Sequence, residues 1–303
     1  MNGFESFLPT ASQNAALVLE QQLAAAGTRC APARQLYKAA ATVSCVGVGI
    51  GGHGCLGCIV RLAWADAAFM RELVLSFRSF IGARPGLFFP FYRLTHRSVR
   101  ARALVLDRHT ELVIEGFPRS GNTFAVLAFQ LAQQREVAIA HHLHHPAQVL
   151  RGARRGVAVV VLIRDPEAAV RSLALRRPDV PLKTLLRQYV DFYSVLDSVR
   201  ERVVVATFEE VTGDFGAVTA RVNARFGTDY GCFEHTPENV DRVFAQIDHI
   251  NRSLGGSEYD VSRPSAARDN VQPRPLTPEE AGALEDAQAQ YLALTSARPG
   301  APL

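Results

Sequence analysis

The sequence predicts an α/β protein in which a parallel sheet is layered between helices. Two observations carry this expectation. Strands are read at 111–116, 157–163 and 202–208, each built around a short apolar run. Each gives way to a polar turn and then to a helical pattern, the alternation that makes a parallel three-layer sheet. Val157–Ile163 (VAVVVLI) has no polar residue at all. An unbroken run of that length suits a strand buried on both faces.

The elements follow in order. Phe124–Arg135 reads as a helix with Leu127 and Leu131 on one face. After Ile163 the sequence Arg164-Asp165-Pro166-Glu167 offers Asp165 as N-cap, Pro166 at the first helical position and an acid in the first turn. Leu182–Arg202 is amphipathic, with Leu185, Leu186, Tyr189, Phe192, Tyr193 and Leu196 at helical spacings. Most of that stripe reads as core. Asp214–Phe226 forms a helix stopped by Gly227, and Pro237–Ser253 forms another. Thr277-Pro278-Glu279-Glu280 is a capping box that opens a last helix to about Thr295. The expected division is an N-terminal extension over residues 1–100 and an α/β domain over 101–303.

Leu112–Phe124 (LVIEGFPRSGNTF) is the most informative stretch. Gly116, Gly121 and Thr123 fit the phosphate-binding spacing G-x-x-x-x-G-K-[ST]. Asn122 stands where the lysine of that pattern belongs, and a cation occurs instead at Arg119. Backbone N–H groups at a turn opening onto a helix still make an anion site. Triphosphate chemistry does not obviously survive the loss of the lysine.

Pro118-Arg119-Ser120-Gly121-Asn122-Thr123-Phe124 resembles the 5′-phosphosulfate loop of sulfotransferases, which use 3′-phosphoadenosine 5′-phosphosulfate (PAPS). Arg164 at a strand end, with Ser172 two turns into the next helix, is similar to that family's 3′-phosphate site. The resemblance covers about 104–294 and implies a P-loop-NTPase-like fold. It implies PAPS as co-substrate, no metal, and a nucleotide site made of Arg119, Ser120, Gly121, Asn122, Thr123, Phe124, Arg164 and Ser172. Phe124 replaces a tryptophan that stacks on adenine. Arg268 falls where the family has a basic loop, and a solvated loop charge is its alternative reading. Phe208 replaces a tyrosine, and core packing is its simpler account.

The cluster His141-His142-Leu143-His144-His145-Pro146 lies where the family places a catalytic histidine. Alignment on Pro146 selects His144 as general base, with His142 second. A base of ordinary histidine pKa gives a rate that rises with pH through about 6–7. Arg119 is the candidate that stabilises charge on the leaving oxygen. Four histidines so close also raise a metal site, although no partner Cys or HExxH helix stands nearby.

The implied activity is transfer of a sulfuryl group to a hydroxyl or amine of a small-molecule or glycan acceptor. A degenerate P-loop kinase or NTPase, with Asp165 as metal carboxylate, is the main alternative. A non-catalytic nucleotide-binding protein is the third. A net charge of +4 suits a polyanionic small ligand and gives no case for nucleic acid. Five cysteines, an odd number, argue against a disulfide framework and for a cytoplasmic protein. Cys55 and Cys58, with Cys45 and His53 nearby, read as buried thiols rather than a metal cluster. Ala39–Val60 carries no Asp, Glu, Lys or Arg and is long enough to span a bilayer. It holds six glycines, so membrane association is the less favoured expectation.

Overall fold

The computed structural model of this 303-residue chain describes residues 73–296. The uncharged run Ala39–Val60 and the Cys55–Cys58 pair lie outside the described residues. Four parallel strands form one sheet in the order β2-β1-β3-β4. They are β1 (Leu112–Gly116), β2 (Ile139–His141), β3 (Ala158–Ile163) and β4 (Val204–Thr207). The α/β class and the parallel layering are those expected from the sequence, and β2 is an addition. With three residues, β2 is too short to show a period.

The continuous apolar strands are explained by two cores, one on each face. Val113, Val159, Val161 and Ile163 point into one, with Leu150, Leu185 and Tyr189. Leu112, Ile114, Val160 and Leu162 point into the other, with Phe129, Val218 and Val243. Alternate residues of a strand face opposite sides, so a sheet covered by helices on both sides needs apolar residues at every position.

Strand order fixes where a ligand fits. From β1 the chain goes to β2 on one side, then crosses to β3 on the other. The carboxyl ends of β1 and β3 therefore flank a topological switch point, where open α/β sheets bind ligands. Gly116, the last residue of β1, pairs with Leu162 of β3. A Cβ on Gly116 would stand 2.3 Å from the Leu162 carbonyl oxygen, so only glycine permits the two strand ends to approach this closely.

Helix starts match their capping signals. Asp165 accepts from the Ala168 N–H at 2.9 Å and opens the helix Pro166–Arg176. Asp214 caps Phe215–Phe226, which Gly227 ends in the left-handed conformation. Pro237–Ser253 is helical as read. Thr277 and Glu280 cap each other's backbone at the start of Pro278–Ser296. Two bounds differ from expectation. The helix after β1 begins at Asn122, directly after the Gly121 turn, and ends at Ala132. The amphipathic stretch is α-helical only over Leu182–Ser194 and continues as a 3₁₀ helix over Val195–Arg202. From the aromatic stretch ahead of β1, Phe88, Phe89 and Tyr92 are buried in the core.

Candidate functional site

A cleft of about 1450 Å³ opens at the switch point. Its wall includes Pro118, Arg119, Gly121–Phe124, His142–His144, Arg164, Ser172, Phe208 and Arg268. Eight arginines and two aspartates line it. Arg171, Arg176, Arg263 and Arg274 are ion-paired with carboxylates, and the cations that remain still leave the concave site positive, which suits a polyanion.

The turn after β1 is braced from beneath. Tyr193 donates its hydroxyl proton to the Leu162 carbonyl at 2.7 Å and accepts the Phe117 N–H at 3.1 Å. Asn122 donates from Nδ2 to the Phe117 carbonyl at 3.1 Å. The residue standing for the P-loop lysine thus closes the turn on itself. Its Oδ1 is buried without a hydrogen-bond partner. Gly121, at φ 87°, turns the chain into the helix, whose first N–H groups have no intrahelical acceptor and face the cleft. Ser120 departs from its expected place. It is fully buried, does not line the cleft, and its N–H bonds the Phe117 carbonyl at 3.3 Å. The donor set therefore opens at Gly121, one residue later than the sequence reading has it.

Arg119 adopts φ 72°, a left-handed conformation that costs a non-glycine residue about 1–2 kcal/mol. Its fork spans three partners: Ser172 Oγ from Nε at 2.9 Å, the Asp260 carbonyl from Nη1 at 3.2 Å and the Val261 carbonyl from Nη2 at 2.9 Å. Arg164 donates from Nη1 to the Arg119 carbonyl at 3.2 Å and lies over the Phe208 ring at 4.1 Å. Phe208 is therefore half-buried on the cleft wall as a platform for a cation, not in the core as the sequence reading prefers. Among the described residues neither Arg119 nor Arg164 forms an ion pair. Arg164 instead has its carbonyl held by the Tyr189 hydroxyl at 2.7 Å.

Phe124 lines the cleft but is only 3% exposed. It is buried against Phe233, His235 and Phe244, with ring centroids about 6 Å apart. A face of this ring open to stack a base is not what this packing offers. Arg268 lines the far wall, on the short helix Ala266–Asp269.

The four histidines separate into distinct environments. His141 is buried at the end of β2, and His145 packs on Phe88; neither lines the cleft. His142 has both ring nitrogens engaged, Nε2 with Thr123 Oγ1 at 3.1 Å and Nδ1 with His141 Nδ1 at 2.6 Å. His144 bonds the Gly116 carbonyl through Nδ1 at 2.8 Å. A carbonyl only accepts, so Nδ1 carries the proton and Nε2 keeps its lone pair. Among the described residues nothing bonds that Nε2. Burial pushes the His144 imidazole down to about 4, with Arg176 and Arg78 adding to the effect. The ordinary histidine pKa assumed from sequence does not hold here, because the loop is packed and cationic.

Glu115 is a residue that sequence reasoning missed. It sits fully buried in β1, where its carboxylate accepts the N–H of Leu143 at 2.9 Å, the N–H of His144 at 3.1 Å and Gln148 Nε2 at 2.8 Å. Burial outweighs these bonds and raises its pKa to about 7. The signal was present: one acid inside an otherwise apolar strand, directly before the glycine of the turn. Glu115 and Gly116 together fix the backbone and ring of His144. Both His142 and His144 are left-handed, at φ 60° and 53°.

No family model and no curated protein matches this chain. Among solved structures, the crystal structure of mouse sulfotransferase SULT7A1 complexed with PAP is similar at 12% identity and a TM-score of 0.39. The match covers 64% of this chain and 88% of that one. A likeness at this level decides neither fold nor function. Among the described residues no helix is long and apolar enough to cross a membrane, and no cluster of His, Cys, Asp or Glu is arranged to hold a metal.

Proposed function

We propose that this protein is a sulfotransferase that uses PAPS as donor. The observation that carries the reading is the meeting of two anion-binding motifs in one cleft. Arg119, from the turn after β1, bonds Ser172, from the helix after β3, while Arg164 bonds the Arg119 backbone. A donor with charged groups at both its 5′ and 3′ positions matches such a paired site, and a simple nucleoside monophosphate fills half of it.

In this reading the N–H groups of Gly121–Phe124 hold the 5′-phosphosulfate oxygens. Arg164, Ser172 and Arg268 hold the 3′-phosphate. The acceptor hydroxyl or amine attacks sulfur in line, the bond from sulfur to the bridging oxygen breaks, and His144 Nε2 takes the acceptor's proton. Arg119 offsets charge growing on the leaving oxygen, for which one of its remaining N–H groups must turn toward the 5′ side. Asp165, the carboxylate that a Mg²⁺-dependent kinase would need, is committed to capping its helix.

The test is thermal melting with adenosine 3′,5′-bisphosphate, AMP and ADP, followed by transfer assays over an acceptor panel. The bisphosphate is expected to stabilise far more than either mononucleotide, and acceptors are expected to gain one SO₃ from PAPS. Equal shifts from all three nucleotides remove the 3′-phosphate site. Mg²⁺-dependent ATP hydrolysis restores the NTPase reading, and tight PAPS binding without turnover favours a non-catalytic protein.

A further inference from the structure

Ahead of β1 the chain has a second feature, independent of the sulfuryl-transfer reading. Among the described residues eleven large hydrophobic side chains are exposed, and eight of them fall between Leu73 and Val99. The other three, Tyr259, Val271 and Leu292, are scattered. Isolated exposed apolar residues need no explanation, but a concentration of them marks a surface with a partner.

The spacing is regular. Leu73, Phe77 and Phe80 stand at i, i+4 and i+7 on the helical residues 73–82, with Val74 beside them. Leu87, Phe91 and Leu94 repeat that spacing on the helix Pro85–Thr95. Each set lies on one helix face. The protein's own core is served by Leu75, on the opposite side of the first helix, by Ile81 at that helix's last turn, and by Phe88, Phe89 and Tyr92 on another face of the second. Both helices thus carry an apolar stripe beyond the one that folding uses.

Charge selects the occupant. No Asp or Glu occurs between Glu72 and Asp107. Within that interval Arg78, Arg84, Arg93, Arg97 and Arg102 are all exposed. Phe80 carries the Arg84 guanidinium 3.6 Å from its ring centroid, so cation and apolar surface are presented together. Helices with exposed Phe and Leu, flanked by arginines and free of acids, have the composition of segments that lie in a bilayer interface and favour anionic lipid.

We propose that residues 73–106 dock this protein on the surface of an anionic membrane, with Phe77, Phe91 and Leu94 entering the interface and the arginines facing lipid headgroups. Among the described residues no helix spans the bilayer in this arrangement. Arg78 belongs both to this segment and to the cleft wall, so the cleft opens beside the docked face.

Co-sedimentation of the full chain with phosphatidylcholine vesicles, with and without phosphatidylserine, tests the proposal. Binding is expected to the phosphatidylserine vesicles alone, and to weaken sharply at about 1 M salt, where the Debye length falls to about 3 Å. The double variant Phe77→Ser/Phe91→Ser, with melting checked, is expected to lower the partition coefficient at least about tenfold. Leu292→Ser, which removes an equally exposed leucine from the C-terminal helix, is expected to leave it unchanged. A chain that ignores both vesicle types, binds both equally, or binds as well after the double substitution overturns the proposal.

Discussion

Arg119 donates from Nε to Ser172 Oγ at 2.9 Å, and this contact joins the turn after β1 to the helix after β3. The same guanidinium holds the carbonyls of Asp260 and Val261, so one side chain ties three chain segments around the cleft. Its removal is therefore expected to act on structure and on chemistry, by routes that can be separated.

Arg119→Ala is expected to lower turnover about 10²-fold, the scale of losing one transition-state donor. Arg119→Lys is expected to retain part of the activity, since a point charge replaces a fork. Arg119→Gly loses the same donors as the alanine variant but suits φ 72°. It should unfold at higher denaturant than Arg119→Ala while being equally inactive. Steady-state kinetics and urea titration on the three variants check this. Normal turnover in the alanine variant leaves the side chain a purely structural tie.

The choice between His144 and His142 is best made with asparagine, which tolerates the left-handed backbone both positions adopt. His144→Asn is expected to lower transfer by about 10²–10⁴-fold with nucleotide affinity kept, because it removes the open Nε2. His142→Asn is expected to cost less turnover, and to weaken nucleotide binding through the lost contact to Thr123 Oγ1. The reverse ranking moves the base to His142.

A base with its pKa pushed down to about 4 is already neutral at ordinary pH. The acid limb of kcat/KM, which rises as the base loses its proton, is then expected near pH 4. The profile stays flat through pH 6.5, where an unperturbed histidine titrates. An inflection near 6.5 that disappears in His144→Asn shows the imidazole to be more solvated in solution than its packing here implies.

How far the sequence could be read depended on whether a residue's environment is local. β3 was legible because burial on both faces imposes apolar residues at every position, and β1 and β4 because short apolar runs dominate them. The helix caps at Asp165 and Thr277 were legible because a cap is set within three residues of itself. Phe208 was not, because its role as a platform for Arg164 depends on two strand ends lying side by side. The partners of Arg119 at 260–261 are backbone carbonyls, which leave no mark on residue identity. Glu115 was overlooked since an acid in a strand usually marks a solvent-facing position, whereas here three donors from other segments surround it.

Glu115 is expected to be needed for folding of the histidine loop. Glu115→Leu preserves bulk and leaves the N–H groups of Leu143 and His144 buried without acceptors, each costing about 1–3 kcal/mol. Glu115→Gln keeps one acceptor oxygen, but its amide turns a donor toward the donors the second oxygen served. The expected stability order is wild type, then Gln, then Leu. A leucine variant as stable as wild type would mean that the loop finds other acceptors.

The same loop sets the response of stability to acid. Burial pushes His141 and His145 down to about 3 and His144 to about 4, and holds His142 well below the usual range. In the unfolded chain all four titrate near about 6.5. Between those values the unfolded state binds protons that the folded state refuses, so stability falls as pH drops below 6.5. Glu115 works in the opposite sense. Its folded value of about 7 lies above its unfolded value, so the folded state holds a proton that the unfolded state releases, and stability falls as pH rises between the two. Four histidines outweigh one carboxyl, and the urea midpoint is expected to drop steadily from pH 7 to pH 5. His141→Asn is expected to flatten that dependence by removing one titrating group. Glu115→Gln, although less stable throughout, is expected to steepen it, because the opposing group is gone. A midpoint that rises on acidification, or a Glu115→Gln slope shallower than that of the wild type, would place these groups in contact with solvent.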